Sequence, residues 1–326
     1  MSWAMVIDGP GDPDVFYPAE IEPGPPGPGQ VRLRQSAIGV NFVDIYHRTG
    51  MFDDGEAFQF PAVLGVQAVG TVESLGPDVV ELAPGDRVGY VGTVGAYTSD
   101  RVVPARRLIR LPDDVSDGAA AASLVRGLTA EYLLRRVYPV APGEVILVHA
   151  AAGGVGVILC QWAKALGATV IGTVSTPAKA QYAAANGCDY PIIYRDNDWV
   201  GDVMRITRGE GVPVVYDSIG KDTFLQSLQC LRPRGLGVNF GTASGQVDPF
   251  SLHLLLDKSL SVTRPTLRTF VEDRDGYENA AKDFFEVLRQ GVVRLPAEQE
   301  FQLRDVAAAH RALQSRSLTG LPVLIP

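Results

Sequence analysis

The stretch that decides the fold reads EVILVHAAAGGVGVILCQWAKALGATVIGTV, from Glu144 to Val174. Val145 to Val148 is a short, apolar, β-branched run, which is typical of a strand buried on both faces of a parallel sheet. A tight turn of small residues follows. Apolar residues then recur at helical spacing as far as Gly167, and a second apolar run extends from Thr169 to Val174. The order of strand, turn, helix and strand predicts a βαβ unit.

The turn within this unit predicts a dinucleotide site. Small residues let the backbone approach a pyrophosphate, and the positive N-terminus of the following helix favours its charge. A glycine trio alone is a weak signal, but a trio between a buried strand and a helix is a strong one. The alternative is a tight strand–helix turn that binds no ligand. The turn residues that we expect to contact the cofactor are Ala152, Gly153, Gly154, Val155 and Gly156.

The end of the second strand indicates which dinucleotide is bound. Chains that prefer NAD usually place an Asp or Glu there to bind the ribose 2′-hydroxyl. No acid follows this strand, and Lys179 comes shortly after Ser175 and Thr176. Hydroxyl and ammonium groups suit a 2′-phosphate, so we expect NADPH, with Ser175 and Lys179 among its contacts. In the alternative, the two hydroxyl residues only cap the next helix and the lysine is solvated.

Composition places limits on the class of protein. A length of 326 residues suggests about two domains, and no apolar run is long enough to span a bilayer. The three cysteines are far apart and odd in number, which favours a reducing cytoplasm over a disulfide framework. A net charge of −8 argues against a nucleic-acid-binding surface.

The pattern of predicted strands and helices changes twice along the chain. Up to about residue 120, short β-rich runs are broken by Pro and Gly, and the stretch looks all-β. From about Leu124, strands alternate with helices, as in a parallel sheet covered on both faces. After Pro265 the alternation stops. The sequence therefore predicts an α/β fold, with a Rossmann doubly wound parallel sheet domain at 125–264 and a mainly-β domain formed by both chain ends, 1–124 and 265–326.

Further motifs along the chain carry a family resemblance. They are AIGVNFVDIY from Ala37, APGDRV from Ala83, GLTA from Gly127, VYDS from Val215 and VTRP from Val262. With the glycine turn and its helix they cover almost the whole chain. The chain resembles a medium-chain dehydrogenase/reductase, and more closely a quinone oxidoreductase similar to zeta-crystallin. The resemblance implies a GroES-like substrate domain, an active site in the cleft between the domains, NADPH:quinone reductase activity and a homodimer.

The zinc ligands of related alcohol dehydrogenases are missing. Those enzymes carry one ligand in a Gly-His-Glu motif, and the matching stretch here is Gly65-Val66-Gln67. No cysteine precedes Cys160, whereas zinc needs three or four N, S or O ligands. We therefore expect no metal. The acceptor must take a hydride without a Lewis acid, which a quinone or an activated enone can do.

Asn41 and Tyr46 are the predicted catalytic and acceptor-binding residues, because they lie in the motif that resembles the family's active-site strand and helix. An amide and a phenol can donate hydrogen bonds to a carbonyl oxygen that gains negative charge. The alternatives are a turn asparagine and a surface tyrosine. Phe52 is expected to line the acceptor site, at a position where the family often has tyrosine.

Other cofactor contacts follow from the resemblance by position. Thr129 is expected at the nicotinamide-side phosphate and Tyr194 at the adenosine phosphate. Strand-end residues and two arginines are expected to complete the site, although the arginines could instead be solvated surface residues. These further contacts are Asn41, Ser218, Phe240, Gly241, Thr242, Arg264 and Arg316.

Competing interpretations remain open at this stage. An NADPH-dependent enone or 2-alkenal reductase would use the same fold and hydride. A non-catalytic crystallin-like protein that binds NADPH or RNA is also compatible with the family.

His149, which precedes the glycine turn, is expected to be structural, because a lone histidine at a strand end is more often structural than a base. The segment Leu260 to Thr263 is expected to be an edge strand that pairs with a second copy.

Overall fold

The computed structural model describes residues 2–51, 59–194, 198–315, 318 and 320–326. They form two compact units. The first unit comprises the described residues of Met1–Val125, Val271–Ala281 and Leu295–Pro326. The second unit comprises those of Arg126–Phe270 and Lys282–Arg294.

Strands account for most of the first unit and for the centre of the second. In chain order they are β1 (Ser2–Ile7), β2 (Tyr17–Ile21), β3 (Gln30–Gly39), β4 (Ala62–Val63), β5 (Gln67–Leu75), β6 (Arg87–Val91), β7 (Asp100–Pro104), β8 (Ile109–Arg110), β9 (Val145–Val148), β10 (Thr169–Val174), β11 (Tyr190–Ile193), β12 (Val212–Asp217), β13 (Leu231–Asn239), β14 (Ser261–Thr263), β15 (Glu298–Gln302) and β16 (Leu321–Ile325).

Helices connect these strands. They are α1 (Phe42–Thr49), α2 (Asp117–Tyr132), α3 (Gly154–Ala165), α4 (Pro177–Ala185), α5 (Trp199–Ile206), α6 (Phe224–Cys230), α7 (Leu267–Phe270), α8 (Arg274–Arg289) and α9 (Val306–Gln314). A π-helical turn, Leu133–Val137, follows α2 directly.

The second unit is built on a six-stranded sheet in the order β11-β10-β9-β12-β13-β14, with every pair parallel. This is the doubly wound order in which the first strand of the unit, β9, lies next to the fourth, β12. β9 and β10 have the bounds that their apolar runs predict, and β12 is buried along its whole length. The predicted α/β fold class is confirmed.

The first unit is mainly β. A sheet in the order β15-β16-β3-β5-β6-β8 is antiparallel except for the β15–β16 pair, and β7 also pairs with β3. A smaller sheet has the order β2-β1-β4. The core of this unit includes Leu33, Ile38, Tyr90 and Tyr97, none of which is exposed.

The structure differs from the sequence interpretation in the first 124 residues, which contain a helix, α1, and the start of another, α2. The eight residues of α1 give too short a periodic signal to stand out among β-rich runs. Its ends are marked by capping instead, with Asn41 as N-cap and Gly50 in the left-handed conformation as C-cap.

The sequence predicted that all of residues 265–326 belong to the mainly-β domain. In the structure, residues 282–294 belong to the second unit. The amide of Gln161 on α3 donates to the Arg294 carbonyl at 3.1 Å and accepts from the Arg294 N–H at 2.9 Å. The ring of Phe284 packs directly against the backbone at Gly127. These contacts tie the end of α8 to the helices of the second unit.

Among the residues that the structure describes, no helix combines the length and the apolar character that crossing a bilayer would need.

Two glycines of α2 provide a test of this packing. A Cβ built at Gly127 would lie 2.3 Å from the Phe284 ring, which is fully buried and cannot yield. Gly127→Ala should therefore lower the free energy of unfolding by about 1–3 kcal/mol, the usual effect of overpacking. The matched control is Gly118→Ala, whose Cβ would meet only the flexible carboxylate of Glu298 at 3.1 Å. In chemical denaturation, the free energy of unfolding of the control should stay within about 1 kcal/mol of the parent value. A small increase is expected, because alanine has a higher helix propensity than glycine.

Candidate functional site

The candidate cofactor site lies at the carboxyl edge of the parallel sheet in the second unit. Ligands bind to doubly wound sheets where the strand order reverses, which here is between β9 and β12. Backbone hydrogen bonds continue past the strand ends, from His149 N to Tyr216 O at 2.9 Å and from Tyr194 N to Val174 O at 3.1 Å. The strand ends that carry the predicted contacts are therefore held in one row.

The glycine turn after β9 packs too closely to admit side chains. Ala150 has a left-handed φ of 51°, and Gly153 is the N-cap of α3. A Cβ built at Gly156 would lie 2.2 Å from the Ala150 carbonyl oxygen. The residues of the turn from Ala152 to Val155 stay partly exposed, at the positive end of a twelve-residue helix. This arrangement suits a pyrophosphate.

Two of the predicted contacts with the adenosine side lie at the end of β10. Ser175 is partly exposed there, and Thr176 caps α4 by accepting from the Lys179 N–H at 3.3 Å. The alternative interpretation was thus right that Thr176 is a cap. The Lys179 ammonium group has no hydrogen bond or ion pair among the described residues and is only partly exposed. Tyr194 follows the neighbouring strand, so it lies beside this strand end.

Asp217 organises the next strand end, a role that the sequence analysis did not assign. The carboxylate is completely buried and accepts from Ile219 N at 2.7 Å, from Gly220 N at 3.0 Å and from the Thr223 hydroxyl at 2.8 Å. These bonds fix the loop that carries Ser218. An acid at the last position of a buried strand, three residues before a glycine, is the signal that could have identified it.

Strand β13 ends against this loop. The Phe240 N–H donates to the Asp217 carbonyl at 2.8 Å, and the Asn239 amide donates to the Gly241 carbonyl at 2.9 Å. A Cβ built at Gly241 would lie 2.7 Å from the Ser218 carbonyl oxygen, so a side chain has no room there. The structure therefore brings these predicted contacts of β12 and β13 together.

The remaining predicted contacts of the second unit are more scattered. Thr242 is buried directly after Gly241, and Thr129 is buried on α2. Arg264 is exposed at the end of β14, and its Nη1 lies 3.3 Å from the Asn239 carbonyl oxygen. Two predicted site residues, Phe52 and Arg316, lie outside the described residues.

His149 has the contacts of a structural residue. Its Nε2 lies 2.8 Å from the Ser227 hydroxyl, which itself donates to the Thr223 carbonyl at 2.8 Å. The proton on Nε2 therefore points to Ser227, and Nδ1 accepts from the Thr173 hydroxyl at 2.8 Å. Burial lowers the pKa of His149, which keeps the ring neutral.

Of the predicted acceptor-binding residues, Asn41 is the N-cap of α1 and Tyr46 lies on this helix, in the first unit. Asn41 is 5% exposed, and its backbone N–H donates to the Asp44 carboxylate at 2.7 Å. The side-chain Nδ2 of Asn41 is buried and has no hydrogen-bond partner in the described part of the chain. Tyr46 is 8% exposed, and its ring lies 6.3 Å from that of Phe42. An unpaired buried donor costs about 1–3 kcal/mol, so this amide is a candidate to bind a ligand oxygen.

The side chains in the stretch that would carry a zinc ligand are packed against neighbouring residues. Val66 and Gln67 are buried, and the Gln67 Oε1 accepts from the Val125 N–H at 2.7 Å. The Gln67 Nε2 lies 2.2 Å from where a Cβ at Gly39 would be. Within the described ranges, no group of three or more His, Cys, Asp or Glu residues could hold a metal ion.

Comparison with known proteins identifies the family. The family described as "Alcohol dehydrogenase GroES-like domain" matches residues 27–113, and the family described as "Zinc-binding dehydrogenase" matches residues 154–286. The chain is 44% identical to a quinone oxidoreductase of Pseudomonas aeruginosa, over 97% of both chains. This chain belongs to the quinone oxidoreductase family of medium-chain dehydrogenases/reductases. The predicted resemblance is confirmed.

Two further relatives bear on the chemistry. The chain is also 44% identical to a 2-haloacrylate reductase of a Burkholderia species, over 100% of this chain and 99% of the other. The crystal structure of the Escherichia coli quinone oxidoreductase complexed with NADPH superimposes with a TM-score of 0.95 at 41% identity, and the match covers 99% of this chain and 100% of that one.

Proposed function

We propose that the chain is an NADPH:quinone oxidoreductase that works without zinc. The observation that carries the proposal is the buried Nδ2 donor of Asn41, which has no hydrogen-bond partner among the residues that the structure describes. Asn41 is the N-cap of α1, in a unit where the zinc-ligand position is occupied by Val66 and Gln67. The family membership agrees with this activity, because quinone oxidoreductases are among the relatives at 44% identity.

The cofactor is NADPH, which supplies a hydride when bound. The residues of the second unit fit it, because the backbone of the glycine turn is open to a pyrophosphate and the helix α3 favours its charge. No carboxylate follows β10 that would repel a 2′-phosphate, and the Lys179 ammonium is available to bind it. Ser175 and Tyr194 border the same strand end.

On the acceptor side, Asn41 and Tyr46 bind the carbonyl oxygen of the quinone. Fixed donors stabilise the negative charge that this oxygen gains as it is reduced, and they need no reorganisation during the reaction. Phe52, which lies outside the described residues, is proposed as an aromatic neighbour of the acceptor. A proton from water completes the reduction.

The function is tested with a panel of acceptors and purified enzyme, followed by the loss of nicotinamide absorbance. We expect NADPH to be oxidised by quinones and not by saturated aldehydes. The panel includes enones and 2-haloacrylates, because a relative of equal identity is named a 2-haloacrylate reductase. If the enzyme reduces activated alkenes and none of the quinones, its function is that of an activated-alkene reductase and the proposal is replaced.

Lys179 provides the sharpest test of cofactor choice. Lys179→Ala should raise the KM for NADPH by about tenfold or more, because one charge-assisted contact contributes about 1.5–3 kcal/mol. The KM for NADH should stay within about twofold, since NADH has no 2′-phosphate. The control is Lys164→Ala, whose ammonium is already paired with Asp189. An equal rise in KM for NADPH and NADH would refute the assignment of Lys179 to the 2′-phosphate.

We further propose a homodimer that joins the β14 edges of two second units. At the other edge of the described sheet, β11 contains Pro191, which has no N–H to offer a further strand. β14 has no such block. Next to it in sequence, Leu252, Leu254 and Leu256 are 74%, 58% and 62% exposed. An open edge beside an apolar patch is self-complementary under a twofold axis.

Charge on this patch should break the dimer. The double variant Leu252→Glu and Leu254→Glu should shift the mass in light scattering from about twice the chain mass toward 34.9 kDa, because four like charges would meet across the axis. Val80→Glu is the control, since Val80 is 90% exposed on the first unit. A parent protein that is already monomeric at micromolar concentration would contradict the proposal.

Two further properties are proposed on chemical grounds. The three cysteines are buried and free, which suits a reducing cytoplasm. The net charge of −8 gives no support for nucleic-acid binding. Retention of labelled RNA on nitrocellulose at physiological salt would favour the RNA-binding alternative instead.

A further inference from the structure

Two loops at the carboxyl edge of the sheet in the second unit are hydrogen-bonded to each other. The first, residues 218–222, follows β12, and the second, residues 241–245, comes shortly after β13. These two loops are called the rim. The Ala243 N–H on the second loop donates to the Ser218 carbonyl on the first at 3.1 Å. The pairing of the two parallel strands therefore continues beyond their ends.

The loops of the rim approach each other too closely to admit a side chain. Gly220 has a left-handed φ of 90°, and a Cβ built there would lie 2.5 Å from the Gly245 carbonyl oxygen. The same carbonyl accepts the Lys221 N–H at 3.1 Å. The backbone contact and the hydrogen bond together set the spacing of the two loops.

Ser244 joins the two loops through both its backbone and its side chain. Its N–H donates to the Ile219 carbonyl at 2.9 Å, and its hydroxyl donates to the same carbonyl at 2.9 Å. The hydroxyl also accepts the Asp222 N–H at 3.1 Å. Loss of the hydroxyl would remove both side-chain hydrogen bonds while leaving the backbone one in place.

The rim also carries two backbone donors that no described residue uses. The N–H groups of Ser218 and Gly241 make no hydrogen bond within the described part of the chain, although Gly241 is buried. A Cβ built at Gly241 would lie 3.0 Å from the Cα of Ser218, so the two residues are in direct contact. Because buried N–H groups without a partner are rare, these donors are candidates to bind a ligand.

The position of the rim on the sheet indicates which part of the cofactor it meets. A doubly wound sheet consists of two mononucleotide-binding halves, and the dinucleotide crosses between them at the switch point. The glycine turn and Lys179 belong to the half with β9, β10 and β11, to which the pyrophosphate and the 2′-phosphate are assigned above. The other half contains β12 and β13. The rim therefore faces the nicotinamide half of NADPH.

We infer that Ser244 is a positioning residue for the nicotinamide half of the cofactor, which holds the Ser218 and Gly241 N–H groups in a geometry that binds it. Donors that are fixed before binding lose little conformational freedom when the ligand arrives, so they contribute more to affinity. The inference rests on the cofactor part of the proposed function and on no particular acceptor. An acceptor other than a quinone would leave it standing.

The test compares two ligands of different extent. NADPH occupies both halves of the site, whereas adenosine 2′,5′-bisphosphate occupies the adenosine half alone. Ser244→Ala should raise the Kd for NADPH about fivefold, the size expected from lost hydrogen bonds, and should leave the Kd for the bisphosphate within about twofold. Both Kd values are measured by calorimetry without an acceptor. An equal rise in the two Kd values would overturn the inference.

Two further variants frame this result. Ser251→Ala is the control, because the Ser251 hydroxyl also accepts a backbone N–H, that of His253 at 3.2 Å, but lies outside the rim. It should leave both Kd values within about twofold, as an exposed substitution does. Lys179→Ala should raise both Kd values, since both ligands carry the 2′-phosphate. A parent protein that binds neither ligand would refute the cofactor assignment and, with it, this inference.

A conservative variant separates the hydroxyl from the rest of the side chain. Ser244→Thr keeps a hydroxyl that can donate and accept, so its Kd for NADPH should stay within about twofold of the parent value. If Ser244→Thr is weakened as much as Ser244→Ala, the hydroxyl is not what holds the rim.

Amide hydrogen exchange tests the two free donors directly. NADPH should slow the exchange of the Ser218 and Gly241 amides, because it gives them a hydrogen-bond partner, and adenosine 2′,5′-bisphosphate should not. In Ser244→Ala the slowing by NADPH should be smaller than in the parent protein. Exchange at both amides that does not change when NADPH binds would overturn the role given to these donors.

Discussion

The close approach of α3 to the end of β9 is the constraint on which the second unit depends. At Gly156 a single methyl group would collide with the Ala150 carbonyl oxygen, so only glycine lets the helix start so near the strand. This contact aims the N-terminus of α3 at the carboxyl edge of the sheet. The buried carboxylate of Asp217 fixes the neighbouring loop through three hydrogen bonds. Two strand ends on either side of the switch point are therefore rigid before any ligand binds.

In the proposed function, the first unit presents polar groups to a hydride acceptor without a metal. Zinc enzymes obtain charge stabilisation from a cation held by several ligands. Here the corresponding position is packed by Gln67, whose amide oxygen is used by the Val125 backbone. In the proposed function, the donors come from α1 and its N-cap instead. The Asp44 carboxylate caps that helix, and Arg48 donates from it to the Gly11 carbonyl. We propose that the placement of neutral donors takes over the role of the ion.

The sequence predicted the second unit more completely than the first. A parallel strand buried on both faces is a continuous apolar run, so β9 and β10 could be read residue by residue. In the first unit, the short helix α1 is recognised by its caps at Asn41 and Gly50 and not by its period. The family resemblance pointed to Asn41 and Tyr46, yet no local pattern could show that the Tyr97 hydroxyl meets the His310 ring. Contacts between residues more than 200 positions apart follow from the tertiary fold alone.

The central claim is that quinone reduction proceeds on protein donors without a metal. The direct measurement is the rate of NADPH oxidation by a quinone after prolonged dialysis against a chelator, together with elemental analysis of the same sample. The account predicts an unchanged rate with less than about 0.1 zinc per chain, since an intact structural or catalytic site would hold one ion. Activity that is lost on chelation and restored by added zinc would contradict it.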